Sequence, residues 1–486
     1  MKTNGNEEFK KSMLAFLQEF ADVELAEDDD DNGFDSDDGD DRVGYDEHNY
    51  EYEIESEDDK MNAFDRVIGY DTIKEELLQI CDMIKNKEYY ERLGARLPQG
   101  LLLYGDPGLG KTLMARAFIK ESGLEAYTVR RNKGNEDFLG EIADTFKRAA
   151  ENAPSVVFLD DMDKFANEDN DHRDAEEYVA VQAGIDEVKG KPVFVLATVN
   201  EMYKLPKSLV RSGRFDRKIE VECPTEEDAE KIVRYYLGGK KISDDVDMED
   251  LVRMISYSSC AELETVMNEA AISAAYKRKE SVGMEDLVGA VLRMQYDAPD
   301  NFAGTAEDEL KKTALHEAGH LVVSEALCPG SVGLASIRSR GRGDVGGFIH
   351  RCRELGRRPY YVLVSLAGKA ATELYYSEAC ASGCQQDIAK AYEEIRSGIS
   401  NSGTRGIGFV DITTHQFPDA SQSMLARNEA AVEAELERMM FKAREILLKN
   451  REFLEKTAEA LFEKETLLYS DIRKLREEVT IVGAVV

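Results

Sequence analysis

The spacing of apolar positions along this chain changes several times, and each change marks a new kind of element. From about residue 61, short apolar runs alternate with stretches of helical spacing. The runs are 101–104 (LLLY), 126–129 (AYTV), 155–159 (SVVFL) and 193–198 (VFVLAT). Strands that alternate with helices predict a parallel sheet flanked by helices. Residues 225–298 then read as purely helical. A second helical region runs from about 306 to 478, broken near 330–350 by a Gly-rich, strand-like stretch. The apolar tail 479–486 (VTIVGAVV) reads as a docked strand. Near the start, Phe9, Met13, Phe16, Leu17 and Phe20 share one face of a helix expected over 8–20. That helix is too short to stand alone, so it docks on the body of the protein, on a partner or on substrate.

Charge sharpens this picture. The chain has 486 residues and a formal charge of −35, enough length for several domains with sizeable cores. Residues 27–59 hold 18 acidic side chains against one base, Arg42. Such a segment buries too little apolar surface to offset its ordering entropy and is expected to be disordered. Its run 28–33 (DDDDNG) opens like a calcium loop, but the twelfth position is Gly39, where a bidentate Glu is needed. The acidic balance argues against nucleic acid as main partner, because binding phosphates takes clustered Lys and Arg. No apolar run reaches the 18 or so residues of a membrane span, and 1–11 (MKTNGNEEFKK) has no signal-peptide pattern. Seven cysteines, an odd number without scaffold spacing, point to a reduced, cytoplasmic and soluble protein.

Two local patterns carry chemistry. Gly105-Asp106-Pro107-Gly108-Leu109-Gly110-Lys111-Thr112 follows an apolar strand and opens a helix, the context in which G-x-x-x-x-G-K-T cradles phosphates. Backbone N–H groups and the helix N-terminus meet the β-phosphate, Lys111 reaches the β/γ oxygens, and Thr112 holds Mg²⁺. Strand 155–159 ends in Asp160 and Asp161; the first suits Mg²⁺ held through water, and the second suits polarisation of the attacking water. Asn200, just past strand 193–198, is placed to orient the same water. Arginines in 211–217 (RSGRFDR) can stabilise γ-phosphate charge in a neighbouring subunit.

The second pattern is His316-Glu317-Ala318-Gly319-His320, an H-E-x-x-H run. On a helix, i and i+4 put both imidazoles on one face, where they can share a Zn²⁺, and Glu317 can take a proton from water beside it. A catalytic zinc keeps three protein ligands and an open position. Neither His350 nor His415 has a persuasive context, so the third ligand is expected to be a carboxylate. Asp387, in 382–388 (SGCQQDI), is the candidate. Cys380 and Cys384 lie nearby and would instead close the site.

These motifs, in this order from about Phe64 to Leu475, resemble the FtsH family of ATP-dependent zinc proteases. The segment 64–69 (FDRVIG) resembles the family stretch that lies against adenine, which places Ile68 and Gly69 there. The segments 261–263 (AEL) and 268–271 (NEAA) resemble its helical lid. The segments 366–371 (LAGKAA) and 462–467 (FEKETL) resemble its peptidase domain. The resemblance implies an α/β AAA+ ATPase domain with a helical lid, followed by a mainly α-helical zincin-type peptidase domain. The expected divisions are 1–60, 61–224, 225–300, 301–478 and 479–486.

The resemblance also implies a hexameric ring acting on protein substrates, with one catalytic Zn²⁺ per subunit and ATP with Mg²⁺. His316, His320 and Asp387 would hold the zinc, with Glu373 orienting a zinc-binding His. Arg214 and Arg217 would be arginine fingers. Phe138-Leu139-Gly140 would grip substrate in the pore, and Gly346-Gly347-Phe348 would sit near an edge strand that pairs with substrate.

The chain departs from the family in an acidic segment where spanning helices usually stand, Asp161 for the usual Glu, Cys260 for a lid glycine, and a shorter segment after the pore loop. The expected function is ATP-driven unfolding, translocation and zinc-dependent cleavage of proteins. The alternative is an ATP-dependent unfoldase or assembly factor that does not cut. The N-terminal segment could tether an adaptor.

Overall fold

In the four long apolar runs, neighbouring residues point to opposite faces, and each face has its own cover. The computed structural model describes residues 63–131, 137–166, 175–211, 213–298, 306–340, 345–376, 381–400 and 422–485. The expected helix 8–20, the acidic segment, Cys380 and His415 lie outside them.

The first helices are α1 (Asp71–Lys85) and α2 (Lys87–Arg92), followed by β1 (Gly100–Tyr104), α3 (Lys111–Ser122) and β2 (Glu125–Val129). Next come α4 (Phe138–Glu151), β3 (Ser155–Leu159), α5 (Ala175–Glu187), β4 (Val193–Val199) and β5 (Arg217–Glu220). The five strands form a parallel sheet in the order β2-β3-β4-β1-β5. Leu101, Leu103, Val156, Phe158, Phe194 and Leu196 face one core with Leu77, Met114 and Phe118. Their neighbours Leu102, Val157, Leu159, Val195 and Ala197 face another with Ile142, Phe146 and Ile185. Burial on both faces explains why these strands read as continuous apolar runs.

Phe138 occupies the first position of α4, whose buried residues Phe138, Ile142, Thr145, Phe146 and Ala149 follow helical spacing. Its ring is only 7% exposed and meets Phe165 edge to face at 5.3 Å. Phe138, expected to grip substrate, is packed into the core of its own chain. Leu139 and Gly140 are half-buried in the same first turn, where Asp137 caps the helix by accepting from Gly140 N.

A helical group follows: α6 (Glu226–Leu237), α7 (Met248–Met254), α8 (Cys260–Tyr276) and α9 (Met284–Tyr296). An isolated bridge, Ile242 to Val282, interrupts the expected purely helical reading. Ser259 and Glu262 form a reciprocal capping box at the start of α8.

The remaining elements are α10 (Glu307–Leu327), β6 (Val332–Arg340), β7 (Val345–Arg351), α11 (Arg358–Tyr376), α12 (Ala381–Ser400), α13 (Gln422–Lys449), α14 (Arg451–Lys464), β8 (Thr466–Leu468) and α15 (Tyr469–Glu478). The Gly-rich stretch supplies β6 and β7. With β8, which the sequence reading did not anticipate, they form an antiparallel sheet ordered β7-β6-β8.

This small sheet is a shared wall. Leu334, Phe348 and Leu468 pack with the core of the helical group. Their neighbours Ala335, Ile349 and Leu467 pack with the core around α10. One polar joint reinforces it: buried Asp250 of α7 accepts from the N–H and hydroxyl of Ser470 at 2.7 and 2.6 Å. Asp250→Ala would leave those half-buried donors without their acceptor and is expected to destabilise the protein by about 1–3 kcal/mol. A lowered urea midpoint checks this.

The tail is docked, but not as a strand. Asn450 takes the place of a strand partner: Val482 N donates to its Oδ1 at 2.7 Å and its Nδ2 donates to Val482 O at 3.1 Å. Ala484 N donates to Ala326 O. Among the described residues, no helix is long and apolar enough to cross a membrane.

Candidate functional site

The parallel register brings the ends of β1, β3 and β4 side by side, with Tyr104 opposite Val199 and Leu159 opposite Ala197. Loops at this carboxyl edge are where open α/β sheets bind ligands. A cleft of about 490 Å³ lies there. Ile68, Pro107, Gly108, Leu109, Gly110, Lys111, Thr112, Asp161 and Asn200 line it, together with Tyr236 and Cys260.

Gly110 caps α3 in the left-handed region (φ 87°), which turns the loop so that the helix N-terminus opens into the cleft. Lys111 Nζ donates to the carbonyls of Gly105 and Asp106 at 2.7 and 2.6 Å. Burial lowers its pKa, chiefly against the attraction of Asp161 and Asp163.

Asp160 is 2% exposed and accepts from Thr112 Oγ1 at 3.0 Å and Thr198 Oγ1 at 2.8 Å. The Thr112–Asp160 pair could hold a hard cation, since Mg²⁺ is bound by few protein oxygens. Asp161 pairs with Lys164 at 2.7 Å and accepts from Asn200 Nδ2 at 3.5 Å. Its N–H donates to Thr198 Oγ1 at 2.9 Å. Thr198 therefore ties both acids to the end of β4. The sequence reading missed it, although one hydroxyl in an otherwise apolar strand was a usable signal.

Three predicted residues stand outside the cleft lining. Gly69 packs on Asp228. Asp106 is exposed at the loop tip, and Asp160 sits beneath the lining. The two arginines part company. Arg217 is exposed at the start of β5. Arg214 is 3% exposed, held by Asp186 at 2.7 Å and by Ser208 O. Arg214, expected with Arg217 to be an arginine finger, has its guanidinium bonded within its own chain, at the base of the loop that carries Arg217.

The second site forms on α10. Acidic Glu307, Asp308 and Glu309 open this helix, where the macrodipole favours them, and Thr313 to Ala326 are buried. His316 and His320 stand one turn apart inside that stretch. Asp387 of α12 meets both: its Oδ2 lies 3.1 Å from each Nε2, and the two Nε2 atoms are 3.0 Å apart. The ligating atoms of these three residues all lie within 4.8 Å of one another. Donors at about 2.0–2.1 Å from one tetrahedral zinc would stand roughly 3.3 Å apart, so the triangle fits that ion.

His320 Nδ1 lies 2.6 Å from Val364 O, which can only accept. The proton therefore sits on Nδ1, and the Nε2 lone pair is free for a metal. That backbone carbonyl does the orienting expected of Glu373. Glu373 is instead bonded to Lys369 and Arg444, and the expectation is corrected. Burial would raise the Asp387 pKa, but the two imidazoles reverse this and hold it well below the usual carboxylate range. Glu317 is 4% exposed, and burial pushes its pKa up. His350 bonds Tyr296 rather than joining the triangle. Cys384 is buried outside the metal-ligating group found among the described residues.

Two missing side chains make room. A Cβ on Gly368 of α11 would fall 2.5 Å from Nε2 of both histidines. A Cβ on Gly347 of β7 would fall 2.8 Å from the Glu317 carboxylate. The roles of Gly368, Val364 and Thr198 depend on contacts between elements, which sequence spacing does not carry.

Stretches of this chain match two known families. Residues 101–223 match the ATPase family associated with various cellular activities (AAA), and residues 303–475 match peptidase family M41. The ATP-dependent zinc metalloprotease FtsH 3 of Symbiobacterium thermophilum is 30% identical over 461 residues, covering 87% of this chain and 72% of the relative. The ATP-dependent zinc metalloprotease FtsH of Caldicellulosiruptor bescii is 31% identical over 451 residues, covering 86% and 72%. FtsH 2 of Symbiobacterium thermophilum is 31% identical over 439 residues, covering 85% and 74%.

Proposed function

The chain belongs to the FtsH family of ATP-dependent zinc metalloproteases, and from that premise we propose that it works as an oligomeric ring that unfolds proteins, draws them in and cleaves them. The observation that carries this reading is the convergence of His316, His320 and Asp387 beside Glu317, in one body with a phosphate-binding cleft.

In the cleft, Lys111 turns from its own loop carbonyls to the β/γ oxygens of ATP. Thr112 and Asp160 hold Mg²⁺, while Asp161 and Asn200 orient the attacking water. Asp161 is paired with Lys164, three residues further on. Ile68 flanks the base. Arg217 acts on the γ-phosphate of a neighbouring subunit, and Arg214 positions it through Asp186.

At the peptidase site, His316, His320 and Asp387 would hold the zinc, which when bound polarises the scissile carbonyl and the attacking water. Glu317 takes the proton from that water and passes it to the leaving amine. The extended substrate lies along β7, the free edge of the small sheet. Seven cysteines, an odd number without scaffold spacing, suit a reduced compartment, and we place the protein in the cytoplasm.

The ring is tested by mixing. Lys111→Ala and Arg217→Ala proteins should each be inactive as ATPases. In equal mixture, an Arg217→Ala subunit beside a Lys111→Ala subunit has a complete site, so roughly a quarter of wild-type ATP turnover should return. No recovery, with mixed assembly verified by mass, would sink the role of Arg217 across subunits.

A further inference from the structure

The strand beside Glu317 has little of its own to hold it. Among the described residues, β7 is an edge strand, bonded on one side only, to β6. Its first half contains Gly346 and Gly347, which have no side chain to pack. Its register with β6 shifts between Ser336 and Ser339, opposite this same stretch. Yet Gly347 must stay against the Glu317 carboxylate, where even a Cβ would not fit.

The face of the strand turned away from α10 is held from the other side of the shared wall. Tyr296 is the last residue of α9; the next residue, Asp297, turns left-handed (φ 47°) and ends the helix. Its ring stacks on Phe348 with centroids 3.6 Å apart and planes 12° apart. Its hydroxyl lies 2.7 Å from His350 Nδ1. Phe348 and His350 are alternate residues of β7, so both face away from Gly347 and Ile349, which face the α10 side. Tyr296 thus holds the strand at two points from behind, bracketing the residue that faces the opposite way between them. Burial and the charge of Arg351 push His350 down to about 4, so the ring partnering this hydroxyl is neutral.

We propose that Tyr296 is a positioning residue for peptide hydrolysis: through its stack on Phe348 and its hydrogen bond to His350, it holds β7 in the register that seats an extended peptide beside Glu317. The inference rests on the reading that β7 pairs with substrate. It goes beyond that reading by assigning the buttress of the peptidase strand to the ATPase side of the shared wall.

The test is steady-state cleavage of a fluorogenic unstructured peptide by the full-length, zinc-loaded protein, with ATP turnover and zinc content measured on the same samples. Tyr296→Ala is expected to raise KM for peptide about tenfold, with kcat, ATP turnover and zinc stoichiometry close to wild type. Tyr296→Phe keeps the stack and should restore KM to within about threefold of wild type. Tyr296→Leu, which keeps apolar bulk without the stack, should resemble Ala and serves if Ala fails to fold. A peptide KM within twofold of wild type in Ala or Leu overturns the proposal. So does a loss shared equally by ATP turnover or zinc content, since that marks a merely structural role. Peptides N-methylated at positions flanking the scissile bond test the underlying reading separately: wild-type KM indifferent to methylation defeats strand pairing whatever Tyr296 does.

Discussion

Exchanging Glu317 for Gln is expected to lower peptide hydrolysis by about 10²–10⁴-fold while ATP turnover and zinc content hold. The substitution keeps the shape of the side chain and removes its ability to take a proton. Glu317 sits on α10 between the two histidines and is 4% exposed, so solvent is poorly placed to substitute for it. Its carboxylate also faces Gly347 on the edge strand, where an extended peptide would lie. Single-turnover cleavage alongside metal analysis separates loss of the base from loss of the metal. Cleavage within about tenfold of wild type, with zinc retained, would remove Glu317 from its role.

The second large effect concerns a residue with no chemistry of its own. Gly368→Ala puts a methyl group 2.5 Å from both ligating nitrogens. Neither ring can retreat freely: Val364 O holds His320 Nδ1, and both histidines lie in a helix buried along its middle turns. Gly319 reinforces the constraint, because its own Cβ would fall 2.6 Å from Ala367 O, so α10 and α11 meet nearly backbone to backbone. Zinc affinity is expected to fall by about 100-fold or more, comparable to or beyond the loss of a partner that orients a ligand. Competition with a chromogenic chelator measures it. Undiminished zinc affinity in a folded Gly368→Ala protein would mean that the helices can move apart at little cost.

Legibility in the sequence followed locality. The phosphate loop and the H-E-x-x-H run are short and contiguous, so their geometry is set by a single turn or helix, and both were readable. Buried strands were readable because continuous apolar runs leave few alternatives. Asp387 lies 67 residues from His320; its residue type was foreseeable, and the resemblance rather than the spacing selected it. Arg214 and Phe138 stand in motifs that mix buried and exposed members, so only tertiary packing reveals that Arg214 meets Asp186 and Phe138 meets Phe165. Glu373 is taken up by Lys369 and Arg444, two cations whose approach only the folded packing of α11 and α13 reveals. The shared wall was hidden because β8 is three residues long and follows α14 directly, too brief for an alternating pattern to register.

The wall also bears on how the two activities communicate. One face belongs to the core that includes the nucleotide-side helices, and the other to the core of the zinc-ligand helix. A movement of α9 would reach β7 through Tyr296, and one of α7 would reach α15 through Asp250, neither crossing solvent.

The central claim is that nucleotide hydrolysis feeds the metal site. It is tested most directly by the rate at which the full-length protein degrades a stably folded protein and the same protein permanently unfolded, each with ATP, with a non-hydrolysable analogue and with Lys111→Ala. Degradation of the folded form only where ATP can be hydrolysed, with Glu317→Gln inert toward both forms, is the predicted result. Equal degradation of the folded form with ATP and with the analogue would contradict it.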